Sequence, residues 1–310
     1  VSANRPECRQ GEEGRSRSSV PPAGGDPAGS AGGVVRRLGA GEITPRMRDV
    51  LAGRVAPAEP RDAATVLLVR RAVCGLEVYL LRRVSSMRFA PGRYVFPGGS
   101  VDPRDSDRGV RWAGPPPREW AHALGADEPL ARALVCAAVR ETFEESGVLL
   151  AGPSETEVVA DTRGDDWEDD RRALVDRSLS LAELLDRRGL VLRSDLLRPW
   201  SRWITPDVEP HRYDTRFFAA VLPEGQQTRD VGGEADHVAW MAPNEAIRRW
   251  RNGELAMLPP TVANLNGLTE CATPEDVRAA EREIVPVQPE FREAAGGITL
   301  IVPDGVGYPL

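Results

Sequence analysis

Lysine is absent from this chain of 310 residues; all 40 basic residues are arginine. A lysine nucleophile, a lysine Schiff base and a phosphate loop closed by lysine are therefore excluded. Histidine is nearly as scarce. His122, His211 and His237 are the three present, and no two stand at ligand spacing, which excludes a histidine-rich metal centre. The four cysteines (Cys8, Cys74, Cys136 and Cys271) form no C-x-x-C pair and no zinc spacing. Isolated thiols of this kind suit a reduced, cytoplasmic location. No apolar run approaches the roughly 18 residues that a membrane helix needs. The N-terminus lacks the apolar centre of a secretion signal. An excess of positive charge is missing too. The net charge is −7, and nucleic-acid binding needs a basic footprint, so it is not expected. What is present is a globular composition, 41% hydrophobic and 28% charged, which suffices for a core.

Residues 1–40 are rich in Gly, Pro, Ser, Ala and Arg without a periodic apolar face, and read as a disordered leader. Residues 41–310 read as one domain. Thr44 and Pro45 mark the start of a short helix ending near Val55. AATVLLVR and LEVYLLRR form a predicted hairpin, and RYVF a third strand. An insertion over about 102–127 follows, long enough to be a functional or mobile loop. ARALVCAAVRETFEES reads as a helix with Val135, Ala138, Val139 and Thr142 on one face and Gly147 at its end. A strand follows from VLLA. Residues 168–188 read as one helix burying Leu174, Leu181, Leu184 and Leu185. WSRWIT, RYDTRFFAAVL, EADHVAWM and GITLIVP read as strands, and a helical extension is expected over about 243–285. Mixed elements without an internal repeat fit an α/β or α+β sandwich around one sheet.

The chemistry concentrates in Arg140-Glu141-Thr142-Phe143-Glu144-Glu145-Ser146-Gly147-Val148. Glu141, Glu144 and Glu145 are spaced i, i+3, i+4 and share one helix face. Three carboxylates crowded together repel one another, and a hard divalent cation with oxygen ligands would offset that repulsion. Arg140 could orient one of them through a bidentate pair. A solvated acidic helix face is the alternative.

These residues resemble the signature of the Nudix hydrolases, G-x5-E-x7-R-E-U-x-E-E-x-G-U, where U is aliphatic. RETFEESGV matches its second half, with Thr142 at a U position, and YVFPGGSVD matches the approach to its first half. Counted from Gly99, the first glutamate position holds Asp105, and the spacer is stretched over residues 106–139. A split signature of this kind is similar to the subgroup that includes the mammalian peroxisomal coenzyme A diphosphatase. Ahead of it, the spacing Leu80-Leu81…Arg83…Arg88…Gly92…Phe96-Pro97-Gly98-Gly99 resembles the motif of bacterial coenzyme A diphosphatases, with Arg82 and Val84 as departures.

The resemblance implies an α/β/α sandwich with a mixed central sheet. It implies Mg²⁺ or Mn²⁺ as cofactor, held by Glu141, Glu144, Glu145 and Gly99, with Arg140 among the catalytic residues. Arg83, Arg88, Gly92, Phe96 and Gly98 would bind substrate, the arginines through phosphate oxygens. The expected reaction is hydrolysis of coenzyme A or an acyl-coenzyme A. A broader nucleotide diphosphatase acting on ADP-ribose, NADH or an NDP-sugar, and a non-catalytic nucleotide-binding module, are the alternatives. Family enzymes often take a general base from a late loop, where Glu234 is the candidate and Asp236 its rival. Asp214 is read as structural, paired with Arg212 or a turn. Trp200 and Trp203 are read as sharing one sheet face, with core packing favoured over stacking on adenine. The expected partner is a small nucleotide, with no nucleic acid or membrane; a homodimer is left open.

Overall fold

The computed structural model describes residues 33–84, 90–229, 235–294 and 297–308. The first element among the described residues is β1 (Gly33–Arg37), which falls within the stretch expected as leader; residues 1–32 lie outside those described. Helix α1 (Pro45–Leu51) begins where Thr44 accepts the Met47 N–H at 3.2 Å. β2 (Arg61–Arg71) and β3 (Leu76–Arg83) form the expected antiparallel hairpin. Its turn carries Cys74, which is disulfide-bonded, contrary to four isolated thiols. Distance along the chain does not limit pairing in space. Cys136 and Cys271 are free.

β4 (Tyr94–Val95) pairs with β3, and β5 (Gly98–Ser100) pairs with β2. The insertion is folded, not an open loop. It holds a 3₁₀ turn at Pro103–Ser106, β6 (Trp112–Ala113) and α2 (Pro117–Leu124). Helix α3 (Glu128–Ser146) starts earlier than its periodic face suggests, because Asp127 caps it by accepting the Leu130 N–H at 2.8 Å. After β7 (Ala151–Gly152), the helix expected over 168–188 is two: α4 (Asp165–Val175) and α5 (Leu181–Arg187). Ser180 and Glu183 form a capping box that restarts the second.

β8 (Val191–Arg193), β9 (Leu197–Ile204), β10 (Tyr213–Val221) and β11 (Ala235–Met241) follow. The C-terminal extension is α6 (Pro243–Arg251), α7 (Pro259–Leu268) and α8 (Pro274–Ala279). It continues past 285 as β12 (Pro286–Val287), β13 (Glu290–Ala294) and β14 (Gly297–Val302).

The central sheet runs β11-β3-β2-β10-β9-β12. It is mixed: β2/β10 and β9/β12 are parallel, the remaining neighbours along that path antiparallel. Alternation along β2 sends Ala64, Val66 and Leu68 to a core shared with α3, and Leu67 and Val69 to a second core under α7. This is the expected α/β/α sandwich. Two small sheets flank it, β6-β8-β7 beside the insertion and β1-β14-β13 formed by the two ends of the described chain.

Trp200 and Trp203 stand three apart, so a regular strand would send them to opposite faces. The β9/β10 register shifts between Phe217 and Phe218, where Trp200 is the extra residue. This bulge brings both indoles into the second core, 3% and 4% exposed. Asp214 pairs with Arg202 at 2.6 Å and Arg216 at 3.0 Å, not with Arg212, which pairs with Asp207. β10 lies beside β9, and register places Arg202 within reach across the ladder.

Candidate active site

Pairing of β5 with β2 sets Gly98 opposite Thr65 and Gly99 opposite Ala64. A Cβ at Gly98 would lie 2.4 Å from Thr65 Oγ1, so only glycine lets the strands close. The Gly98 N–H then points across to α3 and donates to Glu145 Oε2 at 2.7 Å. A Cβ at Gly99 would lie 2.4 Å from Glu141 Oε1, so this glycine admits the carboxylate against the backbone. The stretched spacer thus folds away while the glycine strand stays packed on the later turns of α3.

Arg140 is the hub. Its Nε and Nη2 donate to the two oxygens of Asp105 at 3.0 and 2.9 Å. Nη2 also donates to the Ser100 carbonyl at 3.0 Å, and Nη1 to Glu141 at 2.7 Å and Glu144 at 3.3 Å. Asp105 is buried and in addition accepts the Asp102 N–H at 2.8 Å. The residue at the first glutamate position is therefore engaged as the bidentate partner of Arg140.

Burial pushes the Glu141 carboxyl up to about 7, with Glu144 adding to the shift and Arg140 opposing it. Burial likewise raises Glu144. Burial works against the Arg140 charge, but Asp105, Glu141 and Glu144 outweigh it and hold the guanidinium above its ordinary value. The cluster carries more carboxylates than cations, in a setting that disfavours their charge. That donor chemistry fits a hard dication. Among the described residues, no three His, Cys, Asp or Glu are grouped as a ready-made metal cage. Arg140 and the Gly98 N–H hold these carboxylates meanwhile.

Arg140, Glu141, Glu144 and Glu145 open into a cavity of about 880 Å³. Arg83, Phe96, Gly98 and Gly99 line it as well. Gly92 lies outside the wall and turns the chain (φ 66°), so that its N–H donates to the Arg83 carbonyl at 2.9 Å. Arg88 and Glu234 lie outside the described residues, as does the side chain of Asp236. Trp203 lines the cavity and Trp200 does not; the Arg282 guanidinium sits 3.9 Å above the Trp200 ring.

Among the cavity residues that sequence reasoning misses are Arg93, Arg171 and Glu209. Arg93 stands opposite Arg83, whose N–H donates to the Arg93 carbonyl at 3.0 Å. Arg171, in α4, is buried and donates to the Glu144 carbonyl at 2.8 Å, supporting the end of the carboxylate helix. Glu209, between β9 and β10, lines the cavity, and burial raises its pKa. Arg93 follows the turn glycine Gly92, a cue for a rim position; no local signal marks the other two.

Comparison with known proteins is consistent with this arrangement. A family model described as the NUDT19 Nudix domain matches residues 121–268. The chain is 28% identical over 309 residues to the acyl-coenzyme A diphosphatase NUDT19 of Gallus gallus, covering 80% of each. It is 28% identical over 246 residues to the Homo sapiens protein of the same name, covering 66% of this chain and 63% of that one. The crystal structure of a Nudix hydrolase from Alicyclobacillus acidocaldarius aligns at a TM-score of 0.64 and 32% identity, covering 73% of this chain and 98% of that one.

Proposed function

The chain belongs to the Nudix hydrolase family and is a hydrolase of pyrophosphate bonds, and on that premise we propose that its substrate is coenzyme A or an acyl-coenzyme A. The products would be 3′,5′-ADP and (acyl-)4′-phosphopantetheine. The observation that carries this reading is the pairing of Arg83 and Arg93 on a wall of the same cavity as the carboxylate helix. Two guanidinium forks suit a phosphate at a distance from the one being cleaved. The relatives named acyl-coenzyme A diphosphatase support it.

Glu141, Glu144 and Glu145, with the Gly99 carbonyl, would hold Mg²⁺ or Mn²⁺. Such an ion, when bound, neutralises phosphate charge and lowers the pKa of an attacking water. Arg140 keeps Glu141 and Glu144 oriented while Asp105 keeps Arg140 in place. Little covalent chemistry is asked of the protein; positioning and charge neutralisation dominate such transfers. Glu234 is the proposed general base, and Glu209 is a second candidate because it reaches the cavity from outside α3. The disulfide at Cys74 removes the support that four isolated thiols gave to a cytoplasmic location.

The test is incubation with coenzyme A, acetyl-coenzyme A, NADH and ADP-ribose in Mg²⁺ or Mn²⁺, with products identified by mass. Release of 3′,5′-ADP is expected. Turnover of NADH or ADP-ribose without coenzyme A would replace the proposal by the broader diphosphatase. Glu144→Gln and Glu145→Gln should each lower kcat by about 100-fold or more. In the same assay Glu234→Gln and Glu209→Gln rank the two base candidates.

A further inference from the structure

The cavity holds more than charged groups. Its lining also includes Ile204, Leu258, Phe291 and Leu300, all on elements other than α3. All four are half-buried. Among the described residues none belongs to, or packs against, either hydrophobic core. Phe291 and Leu300 are directly paired across β13 and β14. Side chains directly opposite lie on one sheet face, so they present one continuous apolar surface to the cavity. Apolar side chains that no core claims, in a cavity that also holds a charged cluster, are the arrangement expected for an amphipathic ligand.

We infer that the Phe291–Leu300 pair is a specificity wall that takes the acyl chain of the substrate. The inference rests on the coenzyme A reading and adds to it which residues of this chain discriminate among its esters. Both residues lie beyond the stretch matched by the family model, which ends at 268. The wall is therefore built by the terminal sheet β1-β14-β13, not by the elements that carry the chemistry. Ile204 and Leu258 continue it from the end of β9 and the residue before α7. Diphosphate held at α3 and an apolar tail at the terminal sheet place the two ends of one ligand in one cavity.

Binding of coenzyme A and of its acetyl, octanoyl and decanoyl esters is measured by calorimetry in metal-free buffer, so that the readout does not depend on turnover. The unsubstituted protein should bind tighter as the chain lengthens, by up to about fourfold per buried methylene. Phe291→Ser and Leu300→Gln should flatten that dependence and leave the affinity for free coenzyme A within about twofold. Leu300→Met, which keeps an apolar surface, should retain it. Unchanged binding of free coenzyme A also reports that the variants are folded. No dependence on chain length in the unsubstituted protein, or equal weakening of coenzyme A and decanoyl-coenzyme A in the variants, overturns the wall alone. A protein that neither binds nor hydrolyses any of these compounds overturns the coenzyme A reading and the wall with it.

Discussion

At the scale of single residues, the site depends on one guanidinium. Arg140 satisfies Asp105, Glu141, Glu144 and the Ser100 carbonyl at once. Its side chain is 9% exposed and that of Asp105 2%, so water cannot replace a lost partner. Asp105→Ala should therefore destabilise the fold by about 3–5 kcal/mol, the usual cost of leaving one member of a buried pair alone. Urea unfolding measures it, and a loss below about 1 kcal/mol would show that Arg140 finds another partner. The carboxylates of α3 were legible in the sequence because their spacing is local: i, i+3 and i+4 meet on one helix face wherever the helix sits. The role of Asp105 was not. It meets Arg140 across a folded insertion, and no local pattern encodes that meeting. Asp214 is a similar case, since its partners are chosen by strand register.

At the scale of elements, punctuation explains most agreements and departures. Thr44, Ser180 and Asp127 mark the starts of α1, α5 and α3 through side-chain caps. The division of the helix expected over 168–188 was written in Ser180 and Glu183, a capping box masked by the leucine periodicity on either side. Pro117 at the first turn of α2 is the corresponding signal inside the insertion. The β9 bulge had no such cue, and it decides where Trp200 and Trp203 point. The terminal sheet leads to a further prediction. Removing residues 1–38 takes away β1 and leaves β14 as an exposed edge. Amide exchange in β14 should then accelerate, while that of α3 stays unchanged. Equal protection of β14 with and without β1 would mean that the strand adds nothing to that sheet.

At the scale of the whole molecule, the balance of charge matters most. The chain carries a net charge of −7, and its cavity concentrates carboxylates that burial penalises. A dication bound there should relieve that penalty. Mg²⁺ or Mn²⁺ should raise the melting temperature, with about 2.7 kcal/mol of added stability at 100 times the dissociation constant. Glu144→Gln should blunt the shift, and an equal shift in both proteins would put the ion elsewhere. Among the described residues, no helix is long and apolar enough to cross a membrane.

The amino-acid sequence by itself determined the features that depend on near neighbours. These are the hairpin of β2 and β3, the carboxylate face of α3, the glycines before it, and the family resemblance they carry. The missing lysine already left phosphate recognition to arginine. Only the tertiary structure decided which arginine faces Arg83, what Asp105 holds, and that Phe291 and Leu300 border the same cavity as Glu141. Those juxtapositions join residues far apart in the chain. They follow from strand register and from the closure of long connections, which depend on the packing of the whole domain and leave no periodic trace in any one segment.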